Sequence, residues 1–283
     1  MSEPRPTVRR RRLATVLVKL REEAGKSPED AAERIGCHRS KISRVENARL
    51  GISLGEVRDL LRFYGVDDPE YVEEVVNLAR RSNERGWTQR LGLRIPSYVD
   101  YIDYEETAHY IRSFEPMVIS GLLQTADYAR ALLKATPTML SNERIDELVE
   151  VRMRRQEILR RDAPPRVCVI QGEAALRAQV GGPAVMAAQL KHLVEASEHP
   201  NVDLQVLPFA AGAHAGVLGT FVLFSFPTPA FSDIVCLEHR TGTVYLETSE
   251  DTGAYTLTFD SLRSTALSPA KSLDVINRVK QEL

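Results

Sequence analysis

Apolar residues recur every three or four positions through the first eighty residues, and this period predicts a series of short amphipathic helices. Gly25, Gly36 and Gly65 interrupt the pattern where a helix would end. Ser27 and Ser53 stand at cap positions, directly before the second and fourth helical stretches. The pattern therefore predicts five helices between residues 10 and 80, packed as one all-α bundle.

A different pattern follows the polar stretch at residues 81–97. Tyrosines spaced by three open it, and an amphipathic helix is predicted at 142–161. Short strand-like and helical runs then alternate: strands are predicted at 117–119, 167–170, 202–207, 220–224, 234–238 and 243–246, and helices at 184–196, 249–266 and 269–283. We predict a two-domain fold, with the all-α bundle at 1–80, a linker at 81–97 and a mixed α/β (α+β) domain at 98–283. Trp87, in the linker, is interpreted as a packing anchor rather than a binding residue.

The segment from Pro28 to Asn47 has the pattern of two short helices joined by a tight turn. Ile42 and Val45 lie three apart and give the second helix one buried edge. The side chains that point away from this edge, or lie on its flanks, are basic or hydroxylic: Arg39, Ser40, Lys41, Ser43 and Arg44. Arginine can bond guanine with two hydrogen bonds, and serine can bond bases or phosphate, so this face suits a DNA major groove. An ordinary helical hairpin with a solvated basic face is the alternative.

This segment resembles the helix-turn-helix of phage repressors and their bacterial relatives, the XRE family, with Ala32, Gly36, Ile42 and Val45 at the family's offsets. The resemblance implies that Arg39, Ser40 and Arg44 read bases. It also implies that His38, Lys41 and Ser43 contact the DNA backbone or neighbouring bases. Ser27, which caps the first helix of the pair, is included in the predicted DNA-binding set. In that family an arginine late in the first helix commonly pairs with a glutamate that ends the recognition helix, and Arg21 and Glu46 occupy those places.

Charge is distributed unevenly along the chain. The net charge is −2, but residues 1–49 hold 13 basic and 7 acidic side chains. A basic front end attracts phosphate, because lysine and arginine release counterions from DNA. Within it, Arg9, Arg10, Arg11 and Arg12 form a run that would either follow the minor groove or phosphates, or form a solvated leader.

Several classes of protein are excluded or disfavoured by composition. No stretch approaches the ~18 apolar residues that a membrane span needs, and the basic N-terminus lacks the apolar segment of a signal peptide. Cys37, Cys168 and Cys236 are odd in number and form no paired metal-binding motif. We therefore expect a cytoplasmic protein with reduced thiols and no cofactor, metal or membrane partner.

Six segments of the second region carry another resemblance: SGLLQTADYARALL, RMRRQEIL, QGEAALRAQVGG, VMAAQLKHL, NVDLQVLPF and GTFVLFSF. They are similar to the C-terminal domain of unknown function shared by WhiJ-like regulators of actinobacteria. The resemblance implies an antitoxin-like transcriptional regulator whose gene often neighbours one for a small partner protein.

Catalysis by the second region is disfavoured by its motifs. The Gly181-Gly182 pair lacks the lysine of a phosphate-binding loop, and the chain has no GxSxG or HExxH. Glu173 and His214 could line a pocket for a small ligand, because His214 follows a strand in a glycine-rich loop. Protein binding or dimer formation is the preferred role.

We therefore predict a DNA-binding transcriptional regulator that is not an enzyme. It would bind a double-stranded operator as a homodimer, and its C-terminal domain would sense a small protein partner or a ligand. The alternative of a different class is an antitoxin-like interaction module that acts mainly through its partner.

Overall fold

The computed structural model describes residues 8–83, 96–136, 140–227, 232–239 and 242–283. The chain divides into two compact units: one contains the helices up to Tyr104, and the other begins at Glu105. The linker residue Trp87 and most of the predicted linker lie outside the described residues. The predicted domain bounds, 1–80 and 98–283, stay a prediction.

Five helices form the N-terminal bundle: α1 (Val8–Glu23), α2 (Pro28–Arg34), α3 (Arg39–Glu46), α4 (Leu54–Phe63) and α5 (Pro69–Asn83). Gly25, Gly36 and Gly65 all have positive φ, between 64° and 78°, in the turns after α1, α2 and α4. This left-handed conformation suits glycine, which has no Cβ to clash with the preceding turn. The predicted all-α bundle is confirmed.

The bundle is held by one apolar core to which every helix contributes. Leu17 of α1, Ile42 of α3, Leu61 of α4 and Val75 of α5 are each at most 2% exposed. Ala31 of α2 is fully buried, and its small side chain allows the neighbouring helices to approach closely. This core holds α3 in place from its buried edge and leaves its opposite face in solvent.

The arginine run near the N-terminus lies in α1, not in an extended arm. Within the first unit α1 faces a further helix, α6 (Pro96–Thr107). Arg9 Nη2 lies 3.1 Å from Asp103 Oδ1, and Arg11 Nη2 lies 2.8 Å from Asp100 Oδ2. The two alternatives for the run were contact with DNA and a solvated leader, whereas in the structure Arg9 and Arg11 pair with acids three residues apart on α6.

The second unit is built around a six-stranded sheet with the order β3-β2-β1-β4-β5-β6. The strands are β1 (Tyr110–Glu115), β2 (Arg166–Gly172), β3 (Val202–Leu207), β4 (Phe221–Ser225), β5 (Ile234–His239) and β6 (Gly242–Leu246). Strand β1 is parallel to β2, and β2 to β3, whereas the β1–β4, β4–β5 and β5–β6 pairs are antiparallel. The predicted mixed α/β domain around one sheet is confirmed.

Helices cover this sheet. They are α7 (Ala126–Lys134), α8 (Asn142–Arg155), α9 (Glu173–Arg177), α10 (Pro183–Ala196), α11 (Ser249–Thr265) and α12 (Pro269–Gln281). One sheet face, with Phe114, Ile170 and Leu223, packs on Phe259 and Leu262 of α11. None of the helices in the described ranges combines the length and apolarity needed to cross a bilayer.

Two of the expected elements differ from the structure. The strand expected at 117–119 is a loop, and the strand lies earlier, at Tyr110–Glu115. The long helix expected at 142–161 ends at Arg155 and continues as a 3₁₀ turn, Gln156–Arg160. Strand β1 was missed because Arg112, Ser113 and Glu115 make it look like an exposed segment, although each is at most 8% exposed.

Candidate nucleic-acid interface

The helix-turn-helix begins with a reciprocal cap at Ser27. Ser27 Oγ accepts a hydrogen bond from the Asp30 amide at 3.1 Å, and the Ser27 amide donates to Asp30 Oδ2 at 2.8 Å. The bond from the Ser27 amide holds the pKa of Asp30 below its ordinary value. The hydroxyl oxygen of Ser27 is thus an acceptor within the cap, and its hydrogen can still be donated to a phosphate. Its predicted role as a DNA contact stays a prediction.

Arg21 and Glu46 fix the orientation of α3 against α1. Arg21 Nε donates to Glu46 Oε1 at 2.6 Å and Nη2 donates to Oε2 at 3.2 Å, so the pair is bidentate. A third bond, from Nη1 to the Lys26 carbonyl at 2.9 Å, ties the same guanidinium to the loop before α2. The two side chains are only 10% and 12% exposed. The structure therefore brings the predicted pair together at a nearly buried site, where it fixes the angle of the recognition helix.

His38 caps the recognition helix. Its Nδ1 accepts from the Ser40 amide at 3.2 Å and lies 2.9 Å from Ser40 Oγ. An accepting Nδ1 places the proton of a neutral ring on Nε2, which is then a donor for an anion. Both residues are exposed. The cap orders the first turn of α3 and restrains two of the predicted DNA contacts.

The outward face of α3 carries Arg39, Ser43 and Arg44, all exposed. Arg39 Nε lies 2.6 Å from Glu29 Oε1, but the two side chains are 65% and 57% exposed. An ion pair this open contributes little and exchanges readily for a phosphate or a base. Within the part of the chain that the structure describes, Arg44 makes a single side-chain bond, a long one of 3.4 Å from Nε to the Ser40 carbonyl. These side chains can therefore reach a ligand at small cost to the bundle.

Lys41 differs from its neighbours because its amine already has a partner in the bundle. Its Nζ bonds Glu56 Oε1 on α4, and both side chains are less than one third exposed. Burial would raise the pKa of Glu56, but the bonds from Lys41 and Ser53 hold it below its ordinary value. Lys41 thus ties α3 to α4, and a phosphate contact by Lys41 would compete with Glu56. Its predicted role in DNA binding stays a prediction.

One exposed cation next to this face was not singled out from the sequence. Arg49 follows Ala48, a buried residue with φ +58°, and the Arg49 amide bonds the Arg44 carbonyl at 2.8 Å. The left-handed turn at Ala48 ends α3 and leaves the Arg49 side chain exposed. A basic residue directly after the recognition helix was the only sequence signal for it.

In the second unit, four glutamines hold the loop between β1 and α7. Gln171 Nε2 donates to the carbonyls of Glu115 and Val118, and its Oε1 accepts from the Ser120 amide. Gln189 likewise bonds the Leu123 carbonyl and the Thr125 amide, both at 2.7 Å. Two further glutamine side chains bond carbonyls of the same loop: Gln124 and Gln156. We call residues 118–125 the clasped loop.

Glu173 and His214 each already have hydrogen-bond partners in the second unit. Glu173 accepts from the Phe209 amide at 2.9 Å and from Arg177 Nε at 2.8 Å. His214 Nδ1 accepts from the Gly216 amide at 3.1 Å, and its ring packs edge-on against Phe114. These contacts order the loops on which the two residues lie. A ligand pocket formed by both stays a prediction, as does the absence of catalysis.

Comparison with protein families assigns both units. Residues 98–278, more than half of the chain, match the family model described as Domain of unknown function (DUF5753). The chain belongs to this family. The DUF5753 domain is preceded by a second match, over residues 12–74, to a model described as Helix-turn-helix domain. That match covers α1–α4 and supports a DNA-binding regulator.

No curated protein matches the chain. No solved structure matches it. All four glutamines that hold the clasped loop lie within residues 98–278, the range that the DUF5753 model matches. Among the described residues, no group of three or more histidine, cysteine or carboxylate side chains is arranged to hold a metal ion.

Proposed function

We propose that this protein is a sequence-specific, DNA-binding transcriptional regulator of the XRE type that acts in the cytoplasm. The observation that supports it best is the outward face of α3. Arg39, Ser40, Ser43 and Arg44 are all exposed there, on a helix whose angle is fixed by the nearly buried Arg21–Glu46 pair. A helix held at a fixed angle presents these side chains in a constant arrangement, which favours base-edge contacts over loose association.

We propose further that the protein binds DNA as a homodimer. A recognition helix of eight residues reaches only a few base pairs, so two copies on half-sites about 34 Å apart would supply the specificity that one copy lacks. In this proposal the DUF5753 domain sets the dimer geometry and receives a signal, as in the WhiJ-like, antitoxin-like regulators that the second region resembles. That signal would be a small protein partner or a ligand.

The test starts with selection of binding fragments from genomic DNA by the full-length protein, followed by anisotropy titrations at several salt concentrations. We expect a palindromic site and a steep decrease of log affinity with log salt. We expect Arg44→Ala to weaken the selected site by about 1–3 kcal/mol and random DNA much less.

The matched control is Arg62→Ala, which removes the same charge from α4 at a side chain that is 74% exposed. It should leave the preference for the selected site unchanged. Equal losses for the selected site and random DNA with Arg44→Ala would contradict base reading. No enriched site at all, from a protein shown to be folded, would instead favour the partner-binding alternative.

A further inference from the structure

A cavity of about 660 Å³ lies within the DUF5753 domain, away from Glu173 and His214. It is enclosed by the end of α8, the 3₁₀ turn Gln156–Arg160, the last turns of α10 and Leu122 of the clasped loop. Its volume falls in the range of about 300–1,000 Å³ that is typical of small-molecule sites.

The floor of the cavity is apolar. Leu122, Leu159 and Ala196 line it and are at most 8% exposed, and Met153 adds a flexible apolar surface. Transfer of an apolar molecule from water onto such a lining is favourable, and the flexible thioether of methionine adapts to the shape of that molecule. The floor alone does not select among apolar molecules.

The rim of the cavity carries basic side chains. Arg160, Arg161, His192 and His199 all line it. Burial is the main cause that lowers the pKa of His192, and Arg160 and His199 add smaller effects in the same direction. Glu195 opposes this effect, and its carboxylate lies 4.0 Å from His192 Nδ1 and 3.4 Å from Lys191 Nζ, which is outside the cavity.

Arg160 is the cation most available to a ligand. Its side chain is exposed and has no hydrogen-bond or ion-pair partner in the described part of the chain. Arg161, by contrast, donates to the carbonyls of Ala163 and Glu106 and is held in place by them. Glu157 and Glu195 are the acids on the rim, and Glu195 is already paired with Lys191, which leaves Arg160 as the arginine without a partner among the described residues.

We propose that this cavity binds a small amphipathic carboxylate, whose acid group pairs with Arg160 and whose apolar body lies on Leu122, Met153 and Leu159. An arginine and a carboxylate form charge-assisted bonds of matched geometry, which a neutral or cationic head group cannot replace. Because Leu122 belongs to the clasped loop, a bound ligand would contact the segment that connects β1 to α7. This cavity would be the ligand site of the proposed sensing role. Binding of the carboxylate does not depend on that role; only its effect on regulation does.

The test is calorimetric titration of the full chain with sodium octanoate, without DNA, so its outcome is independent of DNA binding. We expect one octanoate per chain, and binding of 1-octanol and octylammonium at least tenfold weaker. Arg160→Gln should weaken octanoate binding by about threefold to fivefold, because it removes an ion pair formed at an exposed side chain. The matched control, Arg154→Gln, changes an exposed arginine of α8 outside the cavity lining and should change the affinity less than twofold.

Three outcomes would overturn the proposal: no saturable binding of octanoate, equal affinities for octanoate and 1-octanol, or equal losses with the two arginine variants. Arg160 is exposed, so its substitution should not affect folding, and matching thermal denaturation curves for both variants would verify this.

Discussion

The carboxyl group of Glu115 provides a sharp test of the electrostatics of the second unit. Glu115 ends the central strand β1 and is 8% exposed. Burial and the nearby charge of Glu238 raise the pKa of Glu115 to about 8. Arg155 and Arg152 oppose this rise but have other partners: Arg155 binds Glu105 at 2.7 and 2.8 Å, and Arg152 binds Gln124 Oε1 at 2.7 Å.

The raised pKa makes stability depend on pH in a definite direction. The folded protein keeps the Glu115 proton up to about pH 8, whereas the unfolded chain releases it near its ordinary pKa of 4.5. Stability is therefore unaffected by this group below about pH 4.5 and falls as pH rises toward 8. At about 1.4 kcal/mol per pKa unit, the penalty is about 3 kcal/mol at pH 7 and reaches about 5 kcal/mol as an upper bound above pH 8.

Glu115→Gln removes this ionisation and keeps the shape of the side chain. We expect the variant to gain stability over the parent by less than about 1 kcal/mol at pH 5 and by about 3 kcal/mol at pH 7. The measurement is urea denaturation followed by far-UV circular dichroism at pH 5, 7 and 8.5. The control is Glu147→Gln, at an exposed glutamate of α8, which should show no such trend. A stability difference between parent and Glu115→Gln that is constant across these pH values would refute the reasoning.

Two further predictions concern packing and orientation. Because the Arg21–Glu46 pair is nearly buried, Glu46→Leu alone should lower stability by about 3 kcal/mol, whereas Arg21→Met together with Glu46→Leu should lower it much less. The double-mutant cycle of these substitutions, measured by urea denaturation, would contradict this if the losses of the two single variants added up to that of the double variant. A Cβ on Gly172 would lie 2.4 Å from the Pro116 carbonyl oxygen, so Gly172→Ala should lower stability by about 2 kcal/mol or more. The control Gly253→Ala is in an open position on α11 and should raise stability by up to about 1 kcal/mol. Equal thermal shifts for the two glycine variants would exclude the steric explanation.

The N-terminal bundle could be predicted closely because its signals are local. Two serines cap helices, and three glycines end them: Ser27, Ser53, Gly25, Gly36 and Gly65. Each of these residues affects only the turn in which it lies, so the helix bounds can be predicted from the sequence alone. The exposed face of α3 was also predictable, since helical geometry alone separates it from Ile42 and Val45. What periodicity could not show is that Lys41 bonds Glu56, because that contact depends on how α3 and α4 cross.

The second unit was less predictable because its central elements rely on distant partners. Strand β1 tolerates Arg112 because Ser225 and Asp233 bond its guanidinium, both at 3.0 Å, from positions more than a hundred residues away. The cavity rim is similar, since Arg160 and His199 come together only through the packing of the 3₁₀ turn beside α10. Neither arrangement leaves a local pattern in the sequence.

Two of the glutamines around the clasped loop, Gln171 and Gln189, hold it through uncharged hydrogen bonds to its backbone. An amide side chain neither titrates nor attracts counterions, so the hydrogen bonds of Gln171 and Gln189 keep their strength across changes of acidity and ionic strength. The recognition face on α3 has the opposite character, because its affinity for a polyanion depends on salt. The bonds that Gln171 and Gln189 make to the clasped loop therefore do not depend on the ionic conditions that govern contact with DNA.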